Sequence, residues 1–182
     1  PDDLEEDILA DLMEEINELY ESSEQTLIEL ELRPEDNELQ RALFRSIHTI
    51  KGDLGLVNFS PMIPLLQHVE DLLDYLRKGQ VAYTSTMSDL VLLTMDRVKA
   101  FVEAVMANGK AEYDDNLHNQ LVLAIGRVTP ENTAEHEKRL TEAVLLLNPA
   151  LDIVADEDDP QNVQIKPPTL AATGIPKDIS SE

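Results

Sequence analysis

The sequence predicts an all-α protein: an antiparallel up-and-down four-helix bundle with one or two additional C-terminal helices and a flexible tail. Three observations carry that expectation. Apolar residues recur at helical spacing in successive stretches joined by short turn-forming segments. No strand-like alternation persists anywhere in the 182 residues. Hydrophobic residues make up 42% of the chain but aromatics only 4%, without Trp, so a core must come from Leu, Ile, Val, Met and Ala, which suits helix-on-helix packing.

Six helices follow in order. The first is expected over about 4–31, with Leu4, Ile8, Leu12, Ile16, Leu19, Leu27 and Leu30 on one stripe, Asp2 or Asp3 as cap, and Pro34 as terminator. It holds no basic residue; the first is Arg33. The second covers about 36–57, with Leu39, Leu43, Ile47, Ile50, Leu54 and Val57 inward. The third opens at Ser60-Pro61, read as a cap followed by a first-turn proline, and runs through Leu65, Leu66, Val69, Leu72, Leu73 and Leu76 to Gly79. The fourth starts near Ser85 or Thr86 and stops at Asn108-Gly109. A fifth spans about 114–128, and a sixth about 133–147 with Asn132 and Glu135 in a capping-box pattern. Residues 1–128 then form a bundle including the fifth helix, 129–148 an added helix, and 149–182 a linker or tail. That tail carries five of the ten prolines beside the acidic run Asp156-Glu-Asp-Asp159 and has no core of its own.

Charge narrows the function. A net charge of −23 argues against binding nucleic-acid phosphates or anionic membranes, both of which need basic surface. No apolar run reaches membrane-spanning length and no signal-peptide pattern is present. The absence of cysteine removes disulfides, thiol chemistry and thiolate metal sites, and fits an intracellular, cytoplasmic protein. A chain that opens on Pro1 is expected to be cut from a longer one.

One segment stands out chemically. On a helical wheel centred on His48, Arg41, Arg45, Lys51, Gly52 and Gly55 fall within about 60° of it, and the apolar stripe lies opposite. Positions 1–127 hold ten basic residues and three are in this patch, a cationic island suited to a transient anion. Gly52 within a helix costs roughly 1 kcal/mol relative to alanine, so it needs a reason, and Gly55 adds a second exposed gap. A histidine able to carry a phosphoryl group, a cation to hold it and room for a partner to approach suggest a phosphate relay.

The stretch Leu43-Phe44-Arg45-Ser46-Ile47-His48-Thr49-Ile50-Lys51-Gly52 resembles the signature of histidine-containing phosphotransfer (HPt) domains, in particular the amino-terminal domain of CheA-type chemotaxis kinases. The similarity continues through Gly55, Phe59, Glu70-Asp-Leu-Leu-Asp and Arg77-Lys-Gly79, and covers roughly residues 4–127. The resemblance implies a four-helix bundle that displays the phosphorylated histidine on its second helix. His48 is then the phosphorylation site, Lys51 the phosphoryl contact, Gly52 the opening for the partner, and Glu70 the carboxylate that orients the imidazole through Nδ1–H. Three positions depart from the pattern: Gln67 where His is frequent, Asp53 in place of a small residue, where it sets a negative charge near the site, and Asn58 where many members have Gly.

Other candidates are weaker. His68, His118 and His136 read as plain polar or partly buried residues. The residues three before the four histidines are Arg45, Leu65, Asp115 and Thr133, so Glu-x-x-His metal pairs are absent, and no metal or cofactor is expected in this chain. No Gly-rich phosphate loop or nucleophile elbow is present. The resemblance implies a monomeric phosphotransfer module that is not a complete enzyme alone, with a response-regulator receiver domain or a histidine kinase as partner and Mg²⁺ in the receiver. Phe44 and Leu56 would lie at the edge of the docking surface. The alternatives are a helical adaptor that carries no phosphate, and the amino-terminal part of a CheA-like hybrid kinase.

Overall fold

A computed structural model describes residues 3–57 and 59–148. Six α-helices and two 3-10 turns make up the regular structure among the described residues, with no strand. The helices are α1 (Asp3–Leu32), α2 (Asn37–Leu56), α3 (Ile63–Arg77), α4 (Ser85–Asn108), α5 (Asp115–Gly126) and α6 (His136–Leu147).

Helix ends have local causes. Asp36 caps α2 by accepting from the backbone N–H groups of Glu38 (3.0 Å) and Leu39 (3.2 Å), satisfying donors that an α-helix leaves unpaired. Thr84 does the same for α4 and Asp114 for α5. Gly109 ends α4 in the left-handed region at φ 76°, where a Cβ would be strained. Two expected caps do not form. Ser60 lies inside a 3-10 turn (Ser60–Met62) and makes no capping bond. Asn132 sits within the second 3-10 turn (Pro130–Glu135), where its Nδ2 donates to Thr129 Oγ1, so α6 starts at His136 without a capping box. In both cases a nearby proline tightens the entry, and the 3-10 turn displaces the helix start beyond the polar residue.

α2 packs on α1 and α3, α1 also on α4, α6 on α4 and α5, and α5 on α3. The first four helices alternate in direction. Ser85 at the start of α4 hydrogen-bonds Glu31 at the end of α1, while Lys99 lies 4.3 Å over the Tyr20 ring. Thirteen of the 24 residues of α4 are buried, because α1 and α6 both pack on it. Leu140, Ala143, Val144 and Leu147 of α6 join the same apolar cluster as the first four helices. The sixth helix is therefore a wall of the core.

Leu4 and Ile8 do not join that core. They are 67% and 46% exposed, and α1 first buries a side chain at Leu12. Since residue 31 meets 85 and residue 20 meets 99, residue 8 falls level with about 109 at equal rise. The first two turns run past the end of α4. Asp3 is the first helical residue rather than a cap, and Asp2, Asn58 and the expected tail at 149–182 lie outside the described residues.

Candidate functional site

α2 turns Leu43, Ile47, Ile50 and Leu54 fully inward, and that sets its opposite face outward. His48 lies on this outer face with 62% of its side chain exposed. Glu70, one helix away on α3, is only 12% exposed and places Oε1 3.2 Å from His48 Nδ1. A carboxylate can only accept, so Nδ1 carries the proton and donates. The neutral ring then keeps its lone pair on Nε2.

Lys51, one turn after His48, turns its ammonium to the same carboxylate, with Nζ 2.7 Å from Glu70 Oε2. It also donates to Gln67 Oε1 at 2.9 Å, and Gln67 Nε2 donates to Asp71 Oδ1 at 3.0 Å. Glu70 thus uses one oxygen for the histidine and the other for the lysine. Gln67, conspicuous in the sequence only as a departure, is a direct partner of Lys51. Its i, i+3 spacing from Glu70 was the available signal.

The two glycines leave open ground. A Cβ built at Gly52 or Gly55 meets nothing within 4 Å, and Leu56 beside them is 87% exposed. Arg41 and Arg45 are exposed on the same face and make no ion pair among the described residues. Asp53 turns elsewhere than the sequence suggested. The nearby Asp53 carboxyl, then burial and the charge of Glu18, hold the Glu15 carboxyl of α1 above the usual range. The Asp53 charge therefore sits on the α1–α2 seam rather than beside Lys51.

Phe44 reaches the histidine, and Arg77 reaches Phe44. The Phe44 and His48 rings stack at 6.1 Å with planes 10° apart, and the Arg77 guanidinium lies 4.7 Å over the Phe44 ring. Phe44 is an i, i+4 neighbour of His48 and could be anticipated; the place of Arg77 depends on how α3 crosses α2.

The remaining histidines have structural surroundings. His118 is buried, with Nδ1 3.2 Å from Arg97 Nη2 and Nε2 2.8 Å from the Pro61 carbonyl. The His68 ring lies 3.1 Å from where a Cβ on Gly126 would stand. Burial lowers the pKa of His136.

Comparison with known proteins bears on the family and the fold. The family described as "Hpt domain" matches residues 7–106. The chain is 33% identical over 145 residues to the sensor histidine kinase CheAY of Helicobacter pylori, covering 78% of this chain and 18% of that protein. It is 33% identical over 109 residues to the chemotaxis protein CheA of Halobacterium salinarum, covering 60% of this chain and 16% of that protein. The solved CheA phosphotransferase domain from Thermotoga maritima superposes with a TM-score of 0.53 at 33% identity, over 55% of this chain and 95% of that one. The chain thus spans less than a fifth of the length of these two relatives.

Proposed function

On the premise that this chain belongs to the Hpt domain family, we propose that it serves histidine phosphotransfer in two-component signalling and that His48 carries the phosphoryl group on Nε2. The observation that supports this most is the 3.2 Å contact of Nδ1 with Glu70 on an otherwise outward-facing ring.

In the forward step the Nε2 lone pair attacks the phosphorus of a receiver phospho-aspartate or of a kinase-bound nucleotide. The Nε2–P bond forms as the P–O bond to the leaving group breaks, and that group departs with the bonding pair. The ring becomes a cation with its Nδ1 proton retained, and the Glu70 carboxylate stabilises that charge. Lys51, already beside Glu70, acts as a point charge for the phosphoryl oxygens. Gly52 and Gly55 admit the partner's backbone, and Leu56 offers an apolar contact. Arg41 and Arg45 act at longer range, raising the local positive potential. Attack by a receiver aspartate reverses the step.

Phosphoryl transfer rests mainly on positioning and charge stabilisation. The module supplies nucleophile and lysine, while the partner receiver domain or kinase supplies the remaining carboxylates and Mg²⁺. It acts as a monomer and is not a complete enzyme alone. No described helix is long and apolar enough to cross a membrane, and a cytoplasmic place of action belongs to the same reading. A place within a larger CheA-like kinase is favoured by the similarity to a sensor histidine kinase of which this chain covers 18%.

Phosphoramidate, a small phosphoryl donor that releases ammonia, tests the proposal directly. The chain should gain one acid-labile, base-stable phosphate, and His48→Gln should gain none. Equal labelling of the two proteins would remove His48 from this role.

A further inference from the structure

We propose that Phe44 and Arg77 are positioning residues that set the plane of the His48 imidazole, acting as a second anchor beside Glu70. The inference rests on the reading that His48 carries the phosphoryl group. A side chain that is 62% exposed and hydrogen-bonded at one ring atom can still swing about that bond. The stack on Phe44, with planes 10° apart, restrains that motion, and offset aromatic pairs at 4.5–7 Å are attractive. Phe44 is itself held from the other helix. Arg77 covers its ring at 4.7 Å, a cation–π contact. Asp74 fixes Arg77 through Nε at 3.1 Å and Nη2 at 2.5 Å, and also pairs with Lys78 at 2.8 Å. These two cations hold the Asp74 carboxyl below its usual range, the hydrogen bond from Lys78 first.

The chain Asp74–Arg77–Phe44–His48 therefore ties the imidazole to the end of α3, while Glu70 ties it one to two turns earlier on the same helix. Two anchors on one rigid helix aim the Nε2 lone pair along a fixed line, and in-line attack depends on that aim. Arg41 and Arg45, two of the cations on the His48 face of the wheel, have no such contact among the described residues.

The test uses the full chain and phosphoramidate, which is too small to need a docking surface. A role of Phe44 in partner binding therefore cannot produce the result. The expected outcome is a loss of about tenfold in the second-order labelling rate for Phe44→Leu and about threefold for Arg77→Met, with Phe44→Tyr and Arg77→Lys recovering most of the rate. The His48 ring resonances, followed by NMR in the unphosphorylated protein, should move in Phe44→Leu and return toward wild type in Phe44→Tyr. Unchanged resonances, or labelling of Phe44→Leu at the wild-type rate, would overturn the inference while leaving His48 as the phosphorylated residue. Arg77 is a surface residue, so its variants keep the question answerable even where Phe44→Leu loses stability. Label that persists in His48→Gln would instead overturn the underlying reading.

Discussion

His48 and His118 differ in what is left over once their hydrogen bonds are made. His118 meets a carbonyl at Nε2 and a guanidinium at Nδ1. The carbonyl can only accept and the guanidinium can only donate, so the ring is neutral and both nitrogens are engaged. It ties α5 to α4 and to the segment leading into α3. His48 meets one carboxylate at Nδ1, and Nε2 remains with its lone pair toward solvent. The same side chain is a structural bridge where both nitrogens are consumed and, in the proposed function, a nucleophile where one is spared. Reactivity in that proposal comes from an incomplete set of partners on a well-anchored ring.

The largest effect that can break this contrast is a swap of consequences. His48→Gln should lower phosphoramidate labelling by at least about a hundredfold and leave the thermal midpoint within a degree or two. His118→Ala should keep the label and destabilise the fold by about 2–3 kcal/mol, since it leaves the buried Arg97 and the Pro61 carbonyl short of a partner. Calorimetry and labelling on the two variants decide it; a stable His118→Ala protein would remove the structural assignment.

A smaller effect comes from a carboxyl elsewhere in the molecule. Burial, then the charges of Glu31 and Glu137, push the Asp89 carboxyl from 3.8 up to about 7. A folded pKa above the unfolded one means that the unfolded chain loses this proton first. Stability from this group is full below about 4 and falls as pH rises to about 7. Asp89→Asn should therefore gain on the order of 1 kcal/mol at pH 8, discounted because the group is partly exposed, and much less at pH 4. Thermal midpoints of both proteins at the two pH values give the comparison. An equal gain at both would exclude the titration.

The smallest effect contrasts two glycines. Gly52→Ala has open space around its new methyl and should stabilise α2 by about 0.5–1 kcal/mol. Gly126→Ala places the methyl against the His68 ring at 3.1 Å, so little of that gain should survive. Gly52→Gln should slow transfer to a receiver domain with the fold intact, since its side chain fills the approach path. A glycine kept at a measurable cost in helix stability, with nothing packed against it, is a mark of function that denaturation curves can register.

Much of the site could be read along one helix. His48, Lys51, Gly52 and Gly55 share a face because 3.6 residues make a turn, and Phe44 joins them at i−4. Glu70 came from the family resemblance rather than from spacing, and its distance to Nδ1 needed the α2–α3 crossing. Gln67 departs from the family pattern, yet only the α2–α3 crossing shows that it accepts a hydrogen bond from Lys51. Asp53 shows the opposite error: adjacent in sequence to Gly52, it is rotated by about 100° on the helix and serves the α1 seam.

The sequence by itself determined the helices, their order and the outward set of His48, since apolar periodicity and chain-breaking residues act over a few neighbouring positions. It did not determine the caps at Ser60 and Asn132, where proline-tightened 3-10 turns displaced the helix starts, or the exposure of Leu4 and Ile8, which depends on how far α1 overruns α4. Only the tertiary structure decided that α6 closes the core, that Arg77 rather than Arg41 or Arg45 reaches the histidine's stack, and that Glu70 divides its two oxygens between His48 and Lys51. Those choices depend on the relative offset and crossing of helices far apart in the chain, and no local pattern encodes them.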